Sequence, residues 1–503
     1  MLAAMTGLLR RKYVAPAMLA APLALAAAPL GAQSPVLLPS DHWAVDAVRR
    51  LDAMGILPVS PDRGRRRLTL GEVERLLGAA DADAAFAGLL SSYRSRFTRE
   101  FGTASGGGKA APWIVGFVGA AVVLRENEFG TGSGTLAPGP GETIVIADRA
   151  PGPRRVDDHR LEPHGWVGAG VGPIGATAQA HTTMTGDGVY EAHLAVRVGA
   201  IAAWGGRAGI GYGPGRHGSL VLGGEREVVG GGWSTVRPFR LPWLLRALGD
   251  LHVESFLGTL RRSGDIEDPW LWGLRVSTMP HPRLGFGVSR AAMFGGDRNG
   301  GFDLGHFMEI IALERRPGLP FENQIGALDA WFRPPLPGLP LVIWAEWGAD
   351  DTAGALFQVP GLVTGVEIPA WPGSPWLAIS GESTWMAPRC CANGPWYWHS
   401  FFPSGWAVEG EPLGHPLGGE GTELLLGIDV SPARLAAELS LDLFRRDRGP
   451  DNLYSPRWEG VSHGGELRAG LRGARWELVL SGYGEQGDGW RRFGSTLGTR
   501  IRF

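Results

Sequence analysis

The chain has 503 residues, of which 44% are hydrophobic and 19% charged, and it contains 79 glycines, 38 prolines and 20 tryptophans. Its formal net charge of −2 excludes the strong positive field with which proteins attract nucleic acid. The mean hydropathy of −0.02 excludes a bundle of transmembrane helices, each of which needs about 20 apolar residues in a row, but it does not exclude a transmembrane β-barrel, in which only alternate residues face lipid.

Residues 1–32 are predicted to be a signal peptide. The basic run Arg10–Lys12 precedes the apolar segment 13–30, and small residues end at Ala32, where cleavage is expected. A retained membrane helix is the alternative, but three prolines within the apolar segment disfavour it. We therefore expect the mature protein to be exported.

Residues 33–101 are predicted to form a small periplasmic bundle of three helices. Ser40 is a candidate cap for the first helix, whose apolar residues recur at spacings of three and four up to Met54. Thr69 and Glu72 form a capping box that opens the second helix. The third is expected near 82–101.

The same region carries a local resemblance. Asp41–Ala44, Gly55–Leu57 and Leu68–Glu72 are similar to the surface-layer-homology repeat, a helical unit that binds the cell wall. The resemblance implies peptidoglycan as a partner of the bundle. The alternative is that the bundle plugs a pore, and the sequence leaves this choice open.

After the glycine-rich linker 102–112, the period of the hydrophobic pattern changes from 3.6 to 2. In the segments 190–198, 272–278 and 437–443, apolar residues alternate with charged or small ones. A β-barrel in a membrane places the apolar face against lipid and the charged face on a wet lumen. A large soluble β-sandwich has a similar alternation, and the export signal favours the barrel.

The segment Ser495–Phe503 is predicted to be the closing strand. Leu497, Ile501 and Phe503 share one face, whereas Arg500 and Arg502 share the other. An aromatic last residue on the apolar face resembles the final strand of bacterial outer-membrane β-barrels; an edge strand of a soluble sheet is the alternative. We predict a mainly β fold, with a transmembrane antiparallel β-barrel of about 16–18 strands over residues 113–503.

Catalytic signatures are missing from the sequence. It has no G-x-S-x-G, H-E-x-x-H or P-loop pattern, and Gly170–Gly175 fits G-x-G-x-x-G only with Pro173 inside it and no capped helix after it. Cys390 and Cys391 are adjacent, so they build neither a metal site nor a disulfide framework, although a vicinal disulfide between them is left open. We expect a non-catalytic protein without cofactor or metal. An outer-membrane hydrolase would need acidic or His/Ser pairs at one rim.

Several segments in the same order resemble the Wzi-type capsule assembly family. They are Gly211–Leu222, Leu284–Asp297, Asn323–Asp329, Ala345–Asp351 and Trp398–His415. The resemblance implies an outer-membrane β-barrel of about 18 strands with a periplasmic helical cap. It also implies a role in holding or organising capsular polysaccharide at the cell surface.

Two sets of candidate functional residues follow. Aromatic rings stack on the apolar faces of sugars, so the aromatic-rich stretch 385–406 is predicted to bind polysaccharide, with an aromatic girdle at the membrane interface as the alternative. Its candidates are Trp385, Trp396, Tyr397, Trp398 and Trp406. The second set is predicted to point inward as an ion-pair network that narrows any pore, or else to contact polysaccharide or solute: Arg216, Arg290, Asp297, Asp329 and Glu346.

The predicted function is to bind or organise capsular or other surface polysaccharide in the outer membrane. Its predicted partners are surface polysaccharide and outer-membrane lipid, with peptidoglycan through the helical bundle and no nucleic acid. The alternative function is a porin for sugars or other small solutes. An open channel in planar bilayers would favour the porin, and a silent barrel the binder.

Overall fold

The computed structural model describes the chain with several gaps. The described residues are 34–39, 42–59, 62–64, 67–102, 112–128, 160–181, 189–223, 226–263, 266–312, 322–350, 360–388, 395–399, 401–402, 404–408, 411–432, 436–455 and 458–503. The predicted signal peptide, Ser40, most of the glycine-rich linker and both cysteines lie outside them.

The described residues form one closed barrel of 18 antiparallel strands. Each barrel strand pairs with the preceding and the following one, and β1 pairs with both β2 and β22, which closes the sheet. The strands of the barrel are β1 (Trp113–Glu128), β2 (Arg160–Val171), β3 (Ile174–His181), β4 (Val189–Val198), β5 (Ile201–Ile210), β6 (Arg226–Thr235), β7 (Asp250–Thr259), β10 (Trp270–His281), β11 (Leu284–Phe294), β12 (Glu322–Phe332), β13 (Val342–Asp350), β14 (Pro360–Ile368), β15 (Leu377–Met386), β18 (Gly421–Val430), β19 (Ala437–Arg448), β20 (Gly460–Arg472), β21 (Trp476–Gly487) and β22 (Trp490–Arg502). Two short hairpins lie in the connections, β8 (Arg262–Ser263) with β9 (Ile266–Glu267), and β16 (Ala407–Val408) with β17 (Glu411–Pro412).

Alternate residues of the strands face different surroundings. In β4, Glu191 and His193 are buried inside the barrel. The residue that follows His193, Leu194, is 66% exposed on the outer wall. In β22, Arg502 points inward to Glu477, and Ile501 is 58% exposed outside. A wall of exposed apolar side chains is unfavourable in water and suited to lipid. The predicted fold class is therefore confirmed, and the observed strand count lies at the upper limit of the predicted range.

The barrel has two different ends. At the turn end, the strands are joined by connections that include 172–173, 199–200 and 473–475. At the loop end, they are joined by longer connections that include 211–225, 295–321 and 387–420. Transmembrane β-barrels of bacteria have short periplasmic turns and long extracellular loops.

Three helices precede the barrel: α1 (Trp43–Ala53), α2 (Leu70–Ala79) and α3 (Ala84–Phe101); a fourth, α4 (Leu304–Ala312), follows β11. The capping box of Thr69 and Glu72 is present, and Nδ1 of His42 caps α1 by accepting a hydrogen bond from the Ala44 N–H. Apolar residues of the first three helices form one core that extends onto Val115 and Trp166 of the barrel. None of the helices in the described part of the chain combines the length and hydropathy needed to cross a bilayer.

The helical domain, residues 34–101, covers the turn end. The Arg50 guanidinium donates to the carbonyl oxygens of Pro369 and Pro375 at 2.7 and 2.9 Å. Arg333, in the connection after β12, pairs with Asp52 of α1 at 3.2 Å. These bonds join the domain to two separate connections of the turn end, so it closes that end in the observed arrangement.

Candidate functional site: the filled lumen and the loop above it

The connection between β5 and β6 folds into the barrel. In this inner loop, residues 211–223, the Tyr212 N–H donates to the Leu222 carbonyl at 2.9 Å, and the Gly213 N–H donates to the carbonyl of Gly64 in the helical domain at 2.7 Å. Gly213 has φ +102°, and a Cβ there would lie 1.8 Å from the Ser219 hydroxyl oxygen, so only glycine fits. A segment that starts at the loop end therefore meets the domain that closes the turn end.

Arg216 fastens the inner loop to the barrel wall. Its guanidinium donates to Asp429 at 2.6 Å and to Asp442 at 2.8 Å. The backbone N–H of Arg216 donates to the Glu382 carboxylate at 2.5 Å. Asp429 is next to the last residue of β18, at the turn end, so the inner loop reaches far down the lumen.

Two further predicted lumenal residues also point inward. Asp329 pairs with Arg275 at 2.6 Å, and Arg275 also pairs with Asp62 of the helical domain at 2.9 Å. Glu346 accepts hydrogen bonds from the Ser219 hydroxyl at 2.6 Å and from the Leu220 N–H at 3.0 Å. Both carboxylates are thus used to hold the filling of the lumen in place.

The other two residues predicted for the lumen are elsewhere, and that prediction is wrong for them. The neighbour of Arg290 in β11, Ser289, points inward and bonds to Arg275. Successive residues of a strand point to opposite faces, so Arg290 lies on the outer face of β11. Its guanidinium donates to the Ile310 carbonyl of α4 at 2.7 Å and lies 5.3 Å from the Trp272 ring centre. The charge is tolerated on the outer wall because α4 covers it.

Asp297 is exposed in the connection after β11. Its carboxylate accepts the Glu267 N–H at 2.9 Å and so braces the β8–β9 hairpin. The prediction that it points into the lumen assumed that it lies on a barrel strand. The connection leaves the strand at Phe294, before Asp297 is reached.

A buried charge cluster, which sequence reasoning missed, lies nearer the loop end. Arg446 donates to Glu423 at 2.6 Å and to Glu485 at 3.2 Å, and Arg448 donates to Glu485 at 2.9 Å. Glu485 also accepts a hydrogen bond from Nε of Arg492 at 3.0 Å. The alternation of Arg446 and Arg448 along β19 was a usable signal, but the strands that supply the carboxylates could not be matched to it without the register.

Within this cluster, His217, His415 and Glu423 are close enough to hold a metal ion. Nδ1 of His217 lies 2.6 Å from Glu423, but Arg446 already neutralises that carboxylate. Nδ1 of His415 accepts the Leu417 N–H at 3.1 Å, and its Nε2 is 3.1 Å from the Thr384 hydroxyl. The donor set thus fits a hydrogen-bonded cluster better than a metal site.

Three of the five aromatic candidates are fully buried in the cap loop, the part of the loop-end connection 395–420 that the structure describes. The Tyr397 hydroxyl donates to the Leu220 carbonyl at 2.8 Å and accepts the His415 N–H at 2.8 Å. Trp406 donates to the Val221 carbonyl at 2.8 Å, and Trp396 to the Pro360 carbonyl at 3.2 Å. These side chains fasten the cap loop to the inner loop and to the barrel rim, and burial raises the pKa of the Tyr397 hydroxyl.

The remaining two aromatic candidates retain exposed surface. Trp385 is 39% exposed on the outer wall of β15, the position of an interfacial aromatic girdle. Trp398 is half-buried in the cap loop, where its indole N–H donates to the Asp451 carbonyl at 3.2 Å. Phe401, also half-buried, packs against the same hydrophobic core as Trp398. The role of all five in polysaccharide binding stays a prediction.

A cavity of about 340 Å³ separates the helical domain from the lumen wall. Trp43 and Tyr93 line it on the helical side, and carboxylates and guanidinium groups of β18 to β22 line it opposite. At its edge, the Glu100 carboxylate accepts the Trp43 indole N–H at 2.7 Å and lies 3.2 Å from His42. Burial alone would raise the pKa of Glu100, but His42, Arg502 and Arg96 outweigh it and lower that pKa to about 2.

The closed sheet, the apolar outer wall and the charged, filled interior define a transmembrane β-barrel of the bacterial outer membrane. The chain belongs to the family of the capsule assembly protein Wzi, whose family model matches residues 170–481. The family resemblance stated from the sequence is therefore confirmed.

The fold is similar to that of Wzi of Escherichia coli, an outer-membrane carbohydrate-binding β-barrel involved in group 1 capsule assembly. That similarity has a TM-score of 0.71 at 18% identity and covers 93% of this chain and 99% of the other. Lower similarity is found to OpdL and OpdQ of Pseudomonas aeruginosa, with TM-scores of 0.47 and 0.46, identities of 10% and 9%, and coverage of 78% of this chain and 99% and 98% of theirs. No curated protein matches the chain.

Proposed function

We propose that the protein binds capsular or other surface polysaccharide at the loop end of the barrel and retains it at the cell surface without catalysing a reaction. Membership of the capsule assembly family supports a capsule-related role. The carbohydrate-binding activity stated for the similar Escherichia coli barrel supports the choice of ligand. The loop end faces the outside in this proposal, as long loops do in bacterial outer-membrane barrels.

The observation that carries the proposal is the fixed cap loop with partly exposed aromatic side chains. Tyr397 and Trp406 bond it to the inner loop, while Trp398 and Phe401 remain half-buried at the loop end. A binding surface that is already ordered loses little conformational entropy when a ligand arrives. Aromatic faces of this kind stack on the apolar C–H faces of sugar rings.

The buried acidic groups support a binder rather than a hydrolase. Glu423 and Glu485 are each paired with arginines inside the barrel, and Glu346 is held by the inner loop. Paired hydrolytic carboxylates need to face a substrate from two sides. These three carboxylates are instead used to hold protein segments together.

The porin alternative is less well supported. An open channel for solutes requires a continuous wet path, whereas here the inner loop and the helical domain meet in the lumen at Gly213 and Gly64. The bonds of Arg50 and Arg333 support a role for the helical domain in closing the barrel. Its contact with peptidoglycan stays a prediction.

Two tryptophan variants test the proposal. The full chain in nanodiscs would be titrated with capsular or exopolysaccharide purified from the host, with dextran as the reference polymer. We expect Trp398→Ala to weaken binding several-fold and Trp385→Ala, which removes the same side chain from the outer wall, to leave it unchanged. Equal binding by both variants and the wild type would contradict the proposal.

A further inference from the structure

The connection between β6 and β7 at the turn end exposes an apolar segment. Residues 243–248 form a 3-10 helix, Trp243–Leu248, in which no residue is buried. Trp243 is 93% exposed and Leu244 is 92% exposed, and Leu245 and Leu248 add further apolar surface. Contiguous exposed apolar surface of this kind marks an interaction site rather than ordinary protein surface.

This segment lies against the outer side of the barrel. The Thr278 hydroxyl donates a hydrogen bond to the Leu248 carbonyl, and Thr278 points away from the lumen because its neighbour Ser277 is buried on the inner face. Gly249 has φ +76°, and a Cβ there would lie 1.9 Å from the Met279 carbonyl oxygen, so the chain is held tightly at the end of β10. The apolar segment therefore continues the outer wall, on which Val288 and Phe286 of β11 are also exposed.

The backbone itself presents the tryptophan outward. Trp243 has φ +60°, a left-handed conformation that costs free energy for a residue with a large side chain. The preceding Pro242 restricts the chain that leads into it. Indole rings at such positions prefer the boundary between hydrocarbon and water.

Arginines surround the apolar residues. Arg237, Arg240 and Arg246 are all exposed, and residues 236–249 contain no aspartate or glutamate. The next acidic residue along the chain, Asp250, pairs with Arg240 at 2.5 Å. A short segment with a basic and an apolar part is complementary to a lipid that has an anionic head and acyl chains.

We propose that residues 237–248 form an interfacial anchor that binds anionic phospholipid in the leaflet at the turn end. Trp243, Leu244 and Leu245 enter the acyl-chain boundary, while Arg237 and Arg246 contact headgroup phosphates. A protein partner is the competing occupant. Lipid is favoured because the segment is continuous with the outer wall and lies beside the barrel, not across its opening. The anchor depends on the membrane location and not on polysaccharide binding, so the two proposals fail independently.

Spin-label depth measurements on the full chain test the anchor. A nitroxide would be attached to Leu244→Cys in a Cys390→Ser/Cys391→Ser background, in nanodiscs of phosphatidylcholine with or without phosphatidylglycerol. Arg283→Cys, exposed in the β10–β11 connection at the same end, is the matched control. We expect the ratio of oxygen to water-soluble nickel collisions to be several-fold higher at position 244 than at position 283.

The charge requirement is tested separately. Adding Arg237→Gln/Arg246→Gln should lower the collision ratio at position 244 in bilayers with phosphatidylglycerol and leave it unchanged in phosphatidylcholine alone. Leu245→Cys is the second labelling site if the first variant does not form a heat-modifiable barrel. A label as accessible to nickel as position 283 in both bilayers would overturn the proposal. So would a label that is protected only in native membranes, because that result indicates a protein partner.

Discussion

The hydroxyl group of Tyr397 donates a 2.8 Å hydrogen bond to the carbonyl oxygen of Leu220, and this bond joins the cap loop to the inner loop. The same oxygen accepts the His415 N–H, so one phenol links two segments of the cap loop to the inner loop. The loop proposed to contact polysaccharide is therefore held from inside the barrel.

Replacing Tyr397 by Phe should loosen the cap loop without unfolding the barrel. The change leaves the buried Leu220 carbonyl and His415 N–H without this partner, at a cost of about 1–3 kcal/mol for each group left unsatisfied. Hydrogen exchange should accelerate in residues 211–223 and 395–420 and stay unchanged in β20 to β22. Trp385→Phe on the outer wall is the control and should exchange like the wild type.

The anchoring of the helical domain should weaken at acid pH through Glu100. Its pKa is lowered from the usual 4.5 to about 2, so the ionised carboxylate stabilises the folded arrangement by at most about 3 kcal/mol. Because the folded-state pKa is the lower one, this stability is fully present above pH 4.5 and is lost as the pH falls from 4.5 through 2.

Hydrogen exchange of α3, corrected for the intrinsic rate at each pH, measures this effect. Glu100→Gln should raise α3 exchange at pH 6 and flatten its dependence between pH 4.5 and 2. Glu74 is the control, because burial raises its pKa and its ionised form is not a source of stability. If Glu100→Gln and Glu74→Gln gave the same profile, the assigned role of Glu100 would be wrong.

Arg290 should hold α4 against the outer wall. Its guanidinium donates to the Ile310 carbonyl and faces the Trp272 ring, so Arg290→Ala removes both contacts. We expect exchange of residues 304–312 to rise at least several-fold, with no change in β20. β12 is not the reference strand, because Arg290 also donates to Gln324 on β12 at 3.1 Å. Asp297→Asn retains an oxygen that can accept the Glu267 N–H, and it should leave α4 unaffected.

The filled lumen predicts little conductance. The wild-type protein in planar bilayers should lack the steady open-channel current of a porin, because the inner loop meets the helical domain at Gly213 and Gly64. Replacing residues 213–221 by a short Gly/Ser linker should raise the current in variants that still form a heat-modifiable barrel. A steady, well-resolved channel in the wild type would favour the porin alternative.

The period-2 pattern, the final strand and the export signal together predicted the barrel. Arg502 and Ile501 alternate in β22 as predicted, since an inner charge and an outer apolar side chain follow directly from strand geometry. The start of α2 was also readable, because the Thr69–Glu72 capping box is local in sequence. The cap of α1 was not, since His42 and not the predicted Ser40 is its N-cap residue.

Long-range contacts decided the parts that could not be predicted. Trp406 is buried where its indole N–H bonds to the Val221 carbonyl of the inner loop, 185 residues earlier in the chain. Trp396 is buried against the barrel rim, where its indole N–H bonds to the Pro360 carbonyl. The outward Arg290 is tolerated because α4 covers it, and this contact could not be read from the sequence. Composition showed that residues 385–406 are rich in aromatic rings, but not whether the rings would face solvent or pack inside.

The most direct test of the account is the retention of polysaccharide by cells. A host strain lacking this gene would be complemented with the wild type, Trp398→Ala or Trp385→Ala, and cell-bound and released polymer would be measured. The account predicts unchanged total polymer, with a larger released fraction in the deletion strain and with Trp398→Ala, and wild-type retention with Trp385→Ala. An unchanged cell-bound fraction in the deletion strain would contradict it.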